Sequence, residues 1–398
     1  YEIAQCLVGS EMCIRDRLSV AIAFGGVSVE HEISILSAMQ AIAAFPDAYE
    51  IVPLYIAKDG RMYSDASFQK TEVFQDLTKV TQENYEVQLV REHQRVLMQW
   101  KKHHFWKTSR VIDFVLPILH GTNGEDGSFQ GFLKTLHVPF AQCGVLSGAL
   151  GQDKVAMKMI LQDQGLPLVP WFYWWKQEPL AEAFFAKAQR LGYPMIIKPS
   201  NLGSSIGIAV VQNAQELKKA MEEGFQYDDK IVIEKVITPL REINASVLGD
   251  MEDAKCSVLE EVVKQDTILS FQDKYEGHAK SKGMAGTNRR VPASLEKEEA
   301  QEITSYALAS FQALQAEGVV RIDFLMNADT KDIYVNEINS IPGSLAYYLW
   351  EASGLTFTKL LEELIQLGMK RWRREEKRIV SFDTNVLQLQ AKGGSKQL

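Results

Sequence analysis

The sequence predicts an α/β protein in which an open parallel unit is followed by two mixed α+β units. Three observations predict it. The apolar run Leu18 to Phe24 ends in Gly25-Gly26 and gives way to helical spacing over 31–44, the pattern of a buried strand turning into a helix. Two short apolar runs, 195–198 and 206–211, flank a glycine- and serine-rich turn. Two late strands, 319–325 and 333–339, alternate apolar residues with Arg321, Asp323, Glu337 and Asn339.

The chain has 398 residues, 46% hydrophobic and 24% charged, with a formal net charge of -8. That is an ordinary globular composition, long enough for two or three cores. The acidic balance argues against nucleic acid as a main partner. No run of 18 apolar residues is present, so no membrane span is expected. Cysteines stand at 6, 13, 143 and 256 without a Cys-x-x-Cys pair, which fits a reducing compartment and no structural zinc. Residues 1–17 have neither helical nor strand period. The run from Cys6 to Arg17 resembles a translated sequencing adaptor, so 1–17 is expected to be a non-native leader.

The first unit is expected over 18–140. It holds strands at 18–24, 51–56 and 111–119, with 64–110 as a variable insertion without clear order. The second is expected over 141–238. Asp153 can cap a helix that Gly165 and Pro167 stop. A helix at 179–191 and strands at 195–198, 206–211 and 231–236 follow. The third, 239–398, takes strands at 242–248 and 256–263, a long polar loop at 264–291, a helix at 295–316 and the two late strands. A loop of that length inside a domain is usually functional.

The late strands carry the strongest chemistry. Arg321 and Asp323 fall on one face. Simple alternation puts Ile333, Val335, Glu337 and Asn339 together on a face of the other strand. Hard oxygens on a rigid sheet suit Mg²⁺ or Mn²⁺ bridging phosphates. Either strand alone is explained as well by a buried salt bridge. The segment Lys198-Pro199-Ser200-Asn201-Leu202-Gly203-Ser204-Ser205-Ile206-Gly207 is no P-loop, because it joins two strands. Its successive N–H groups can still cradle phosphates, with Lys198 adding charge. Lys154 can reach phosphate or be a surface lysine. Glu234, at the end of an apolar strand, can meet a nucleotide base or ribose. The turn Gly25-Gly26-Val27-Ser28-Val29-Glu30-His31-Glu32-Ile33-Ser34 opens a helix whose N-terminus favours an anion, and Glu32 can bind an ammonium. His120-Gly121-Thr122-Asn123-Gly124-Glu125-Asp126-Gly127 follows a strong strand, where sheet ligands tend to sit. A capped helix and a glycine turn are the plainer alternatives for these two.

Taken together and in this order, these motifs with Asn336-Glu337-Ile338-Asn339-Ser340-Ile341-Pro342-Gly343 resemble the D-alanine–D-alanine ligase family of the ATP-grasp superfamily, from about Leu18 to Leu364. The resemblance implies an N-terminal substrate domain and two ATP-grasp subdomains that sandwich ATP, acting as co-substrate. It implies that Lys154, Lys198, Ser205, Glu234, Lys235, Ile237, Glu242 and Lys274 line the ATP pocket. Asp323, Glu337 and Asn339 would hold two Mg²⁺ or Mn²⁺ ions. Glu32 would bind the ammonium of the first D-alanine, and Ser204 would connect it to Tyr275 of the long loop. Arg321 and the Gly343 N–H would stabilise the oxyanion. His120 would lie near the first substrate's carboxylate. Tyr275, preceded by Lys274, favours D-Ala-D-Ala over D-Ala-D-lactate; a related ATP-grasp ligase making D-Ala-D-lactate, D-Ala-D-Ser or another dipeptide is the alternative. Common members carry serine and leucine five and six residues after the glycine, where this chain has Tyr348 and Leu349. The resemblance further implies a homodimer in the cytoplasm that serves cell-wall synthesis.

Overall fold

The computed structural model describes residues 17–104, 107–203, 206–263 and 289–381. The first unit is built on β1 (Leu18–Gly25), β2 (Tyr49–Ile56), β3 (Met62–Tyr63), β4 (Glu86–Glu92), β5 (Arg95–His104), β6 (Lys107–Ile112) and β7 (Phe114–Pro117). They form one sheet in the order β6-β5-β4-β3-β2-β1-β7. β1 runs parallel to β2 and β7, which explains its near-continuous apolar run: a central parallel strand is covered on both faces. Gly25 closes β1 at φ +93°, and a Cβ there would stand 2.3 Å from the Ile56 carbonyl oxygen, so no other residue fits the turn.

The expected insertion at 64–110 is instead ordered. β4 to β6 extend the sheet as an antiparallel meander. Val87, Leu89, Val96 and Met98 are buried on one face, while the other mixes the charged Glu86, Glu92 and Arg95 with Gln88, Gln99 and half-buried Val90 and Leu97. That charge hid the two-residue period from a reading of composition.

β1 divides its side chains between two cores. Ala21 and Ala23 pack with Phe129 and Leu133 on one face. Val20, Ile22 and Phe24 pack on the other, together with Phe357, Leu360, Leu361 and Leu364. The helix Phe357–Glu376 therefore returns from the C-terminal end of the chain to the first unit's core. Packing and chain order part company there, across the expected 239–398 unit.

The second sheet has β8 (Trp171–Trp175), β9 (Met195–Pro199), β10 (Ala209–Val211) and β11 (Lys230–Lys235), in the order β10-β9-β11-β8 and all antiparallel. As expected, Asp153 caps the helix Lys154–Asp163 by accepting from the N–H groups of Val155 and Ala156 at 3.0 and 3.1 Å. It also accepts from the Ser200 hydroxyl at 2.8 Å, which ties the helix start to the end of β9.

The third sheet has β12 (Leu240–Gly249), β13 (Ala254–Cys256), β14 (Glu260–Val262), β15 (Arg289–Arg290), β16 (Gly318–Asn327) and β17 (Ile333–Asn339). Its order is β15-β14-β12-β16-β17, with β13 paired to β12. The helix Lys297–Ala313 covers one face through Ile303, Ala307 and Phe311, opposite Ile322 and Phe324.

Candidate active site

The second and third sheets each have an apolar face and a charged face, and the charged faces meet. In β9 and β11, Ile197, Ile231 and Ile233 enter the core. The alternate face carries Lys198 and Glu234. Glu234 is fully buried between two lysines: Lys198 Nζ lies 2.6 Å from one carboxylate oxygen and Lys158 Nζ 2.5 Å from the other. Burial works against the carboxylate, but Lys158 and Lys198 prevail and hold its pKa down to about 2. Burial also opposes the charge on Lys198, and Glu234 more than compensates, so its pKa is raised. For Lys158, burial wins and the pKa is lowered. Lys154 Nζ donates to the Leu202 carbonyl at 2.6 Å, beside the glycine-rich turn.

In the third sheet, Ile243, Ala245, Val320, Ile322 and Phe324 face the core. Glu242, Asn244, Arg321 and Asp323 take the other face. β17 departs from simple alternation. Asp323 pairs with Glu337, yet Phe324 pairs with Val335, so Asn336 is an extra residue in a β-bulge. The bulge reverses the phase of the strand. Ile333, Val335 and Ile338 are all in the core, and Glu337 and Asn339 join Asp323 on the opposite face. The expectation that all four β17 residues share a face is thus corrected. The displaced Asn336 accepts from Lys198 Nζ at 3.0 Å and links the two sheets.

Arg321 grips Asp323 with two donors, at 2.6 and 2.7 Å, and Asn339 Nδ2 donates to the same carboxylate at 3.2 Å. Burial raises the Asp323 pKa against the opposing pull of Arg321, and Glu337 and Glu260 push in the same direction as burial. Among the described residues no three His, Cys, Asp or Glu side chains are placed to chelate a metal alone. Two facing carboxylates and the Asn339 amide do supply hard oxygens and surplus negative charge. That fits a divalent cation completed by phosphate oxygens and water.

The first unit closes the cleft. Glu125 accepts from the Gly121 N–H at 2.8 Å and from the Ile341 N–H at 3.0 Å, and its own carbonyl accepts from the Ser340 hydroxyl at 3.1 Å. Burial, with nearby Glu30, pushes the Glu125 pKa up to about 8. His120 is buried with both nitrogens engaged, Nδ1 at 2.8 Å from the Ile341 carbonyl and Nε2 at 3.0 Å from the Ser37 hydroxyl. Beyond Gly343, Ser344, Leu345 and Ala346 are buried in left-handed backbone, with φ of 52°, 54° and 49°. Non-glycine residues there cost roughly 1–2 kcal/mol each, so the surroundings must impose the turn. No atom lies within 4 Å of a Cβ placed on Gly343, so the space on that side of its backbone is open.

Of the expected residues, the side chains of Glu32 and Lys235 point elsewhere. Glu32 is 76% exposed on its side chain and pairs with Lys58 at 3.6 Å, turned away from the cleft. Glu30 takes that place: its Oε2 would be 2.8 Å from a Cβ on Gly121 and 3.5 Å from one on Gly203. The difference is helical geometry. Glu30 is the N-cap of the helix His31–Ala43 and points back to the loops, whereas Glu32 lies in its first turn and points outward. Lys235 directs its ammonium to the carbonyls of Gly192 and Tyr193, so only its backbone is left for the cleft. Ile237 lies in the link between β11 and β12. Leu349 is fully buried. Tyr348 donates its hydroxyl to Glu260 at 2.9 Å, under the Arg289 guanidinium. Burial and Glu260 raise its pKa. Ser204, Ser205, Lys274 and Tyr275 lie outside the described residues. Lys158, Ser37 and Glu260 were not singled out by sequence reasoning, and Glu30, Glu125 and Asn336 entered it only as members of motifs. A lysine one turn after Lys154 was a usable signal for the first.

Two antiparallel sheets that oppose lysines to carboxylates, closed by an α/β unit, define an ATP-grasp carboxylate–amine ligase. The family models for the D-ala D-ala ligase N-terminus and C-terminus match residues 19–143 and 160–366. The D-alanine--D-alanine ligase of Thermosipho melanesiensis is 36% identical over 376 residues, 94% of this chain and 99% of that protein. That of Bacillus cytotoxicus is 34% identical over 371 residues, 91% and 98% of the two chains. Among solved structures, the Coxiella burnetii D-alanine-D-alanine ligase superposes with a TM-score of 0.75 at 28% identity, covering 91% of this chain and 97% of its own. The VanG D-Ala:D-Ser ligase of Enterococcus faecalis gives 0.73 at 25%, covering 88% and 99%. The chain belongs to the D-alanine–D-alanine ligase family, whose members are ATP-dependent enzymes.

Proposed function

We propose that this chain joins two molecules of D-alanine into D-alanyl-D-alanine, cleaving ATP to ADP and phosphate, for peptidoglycan precursor synthesis. Besides family membership, the observation that carries this reading is the opposition of Lys198 to the Asp323–Glu337–Asn339 patch, bridged through Asn336 at 3.0 Å. Lys154, Lys198 and Lys274 neutralise the triphosphate, and Ser205 donates a hydrogen bond to it. Glu234, the Lys235 backbone, Ile237 and Glu242 border the adenosine. Two Mg²⁺ or Mn²⁺ ions, held by Asp323, Glu337 and Asn339, would supply charge neutralisation at the transferred phosphate.

A carboxylate oxygen of the first D-alanine attacks the γ-phosphorus, and the bond to the ADP oxygen breaks. Glu30 is placed to hold that substrate's ammonium. The neutral amine of the second D-alanine then attacks the acyl carbon. Arg321 and the Gly343 N–H meet the oxyanion, and the bond to phosphate breaks as the departing phosphate takes up the proton the amine loses. The loop at 264–291, with Tyr275, excludes water from the acyl phosphate.

The test is phosphate release with ATP, Mg²⁺ and D-alanine as both donor and acceptor, compared with D-lactate or D-serine as acceptor. No release with D-alanine alone at neutral pH sinks the reading. A D-Ser acceptor is the second reading, supported by the likeness to the Enterococcus D-Ala:D-Ser ligase. Sedimentation tests the proposed homodimer. Among the described residues no helix is long and apolar enough to cross a membrane.

A further inference from the structure

We infer that Ser37 is a positioning residue for the second chemical step, holding the Ile341–Ser344 segment so that the Gly343 N–H is aimed at the reacting carbonyl. The inference rests on the function proposed above. Its basis is a chain of hydrogen bonds whose directions are all fixed. The Ile341 carbonyl can only accept, so His120 Nδ1 carries the proton that bridges them at 2.8 Å. Burial lowers the His120 pKa and keeps the ring neutral, so Nε2 presents a bare lone pair. The Ser37 hydroxyl therefore donates to Nε2 at 3.0 Å, and its oxygen accepts the Ser344 N–H at 2.9 Å.

The consequence lies in which peptide units are tied. Glu125 holds the Ile341 N–H and His120 holds the Ile341 carbonyl. The Leu345 N–H holds the Pro342 carbonyl at 2.8 Å, and Ser37 holds the Ser344 N–H. Gly343 lies between these ties, and its N–H is the donor assigned to the oxyanion. Ser37 is the anchor on the C-terminal side of Gly343, where the left-handed turn begins. Without it the chain can relax toward ordinary backbone and swing the Gly343 N–H out of line. Ser37 is itself buried in the helix His31–Ala43, with its hydroxyl committed to His120 and the Ser344 N–H.

Ser37→Ala should lower dipeptide turnover roughly tenfold to a hundredfold, the penalty of a misplaced donor. The KM values for ATP and the first D-alanine should stay within about twofold. Positional isotope exchange in ATP, driven by D-alanine through reversible acyl-phosphate formation, should be undiminished, because it precedes the step that needs Gly343. Ser37→Cys keeps a side chain of similar size but accepts a hydrogen bond more weakly, so its turnover should fall between serine and alanine. It carries the same test if the alanine variant does not fold. Unchanged turnover overturns the inference. So does a parallel fall of isotope exchange and turnover, the mark of a general structural loss. A wild-type chain that makes no dipeptide sinks the functional reading itself, a result distinct from either.

Discussion

On the phosphate side of the cleft, Glu234 sits fully buried with lysine ammonium groups 2.5 and 2.6 Å from its two oxygens, all within one subdomain. On the carbonyl side, Ile341 and Ser344 are held at 2.8 to 3.0 Å by Glu125, His120 and Ser37, all supplied by the first unit. The first arrangement is a charge cluster that compensates its own desolvation, provided every member is present. The second is a set of directional bonds that exists only when the separate units are docked. Phosphate binding needs net charge and tolerates small displacements. An oxyanion donor needs aim.

The comparison predicts a graded series of effects. Glu337→Gln removes a proposed metal ligand and should lower turnover roughly a thousandfold, with little change in unfolding by urea. Activity measured across a Mg²⁺ titration checks it. If turnover survives at low Mg²⁺, the patch is not the metal site. Glu234→Gln leaves Lys158 and Lys198 buried without their counter-charge and should cost about 3–5 kcal/mol of stability in urea unfolding.

The two sides should also answer pH with opposite signs. The Glu234 pKa is held down to about 2 from a usual 4.5. Its contribution is present above 4.5 and is lost as pH falls toward 2. The Glu125 pKa is pushed up to about 8 from 4.5. Its contribution is full below 4.5 and is lost as pH rises through 8. Stability curves of the wild type against Glu234→Gln and Glu125→Gln should each lose the matching limb. If both variants alter the same limb, the contrast fails. The smallest effect is expected at Glu32. Its exposed pair with Lys58 is worth under about 0.5 kcal/mol, and Glu32→Gln should leave turnover unchanged while Glu30→Gln raises the KM for D-alanine.

Much of the site was legible because its residues are local in sequence. The Asp153 cap, the start of the helix at His31, the strand from Ile333 to Asn339 and the lysine at the end of β9 follow from short-range pattern. The antiparallel meander of β4 to β6 was missed because charge on its outer face masked the alternation. The choice between Glu30 and Glu32 was missed because it turns on the direction of two side chains at one helix end.

By itself the sequence determined the strands and helices that carry most of the site, several charged residues of both ligand faces and the glycines that bend the chain. These depend on propensity, period and side-chain chemistry within a few residues. Only the tertiary structure decided that a bulge at Asn336 turns Glu337 and Asn339 toward Asp323, and that Lys158 shares Glu234 with Lys198. Only it brought Ser37 to Ser344, which is 307 positions away. Strand phase across a bulge and contacts between distant segments are set by packing, and packing is a property of the whole folded chain.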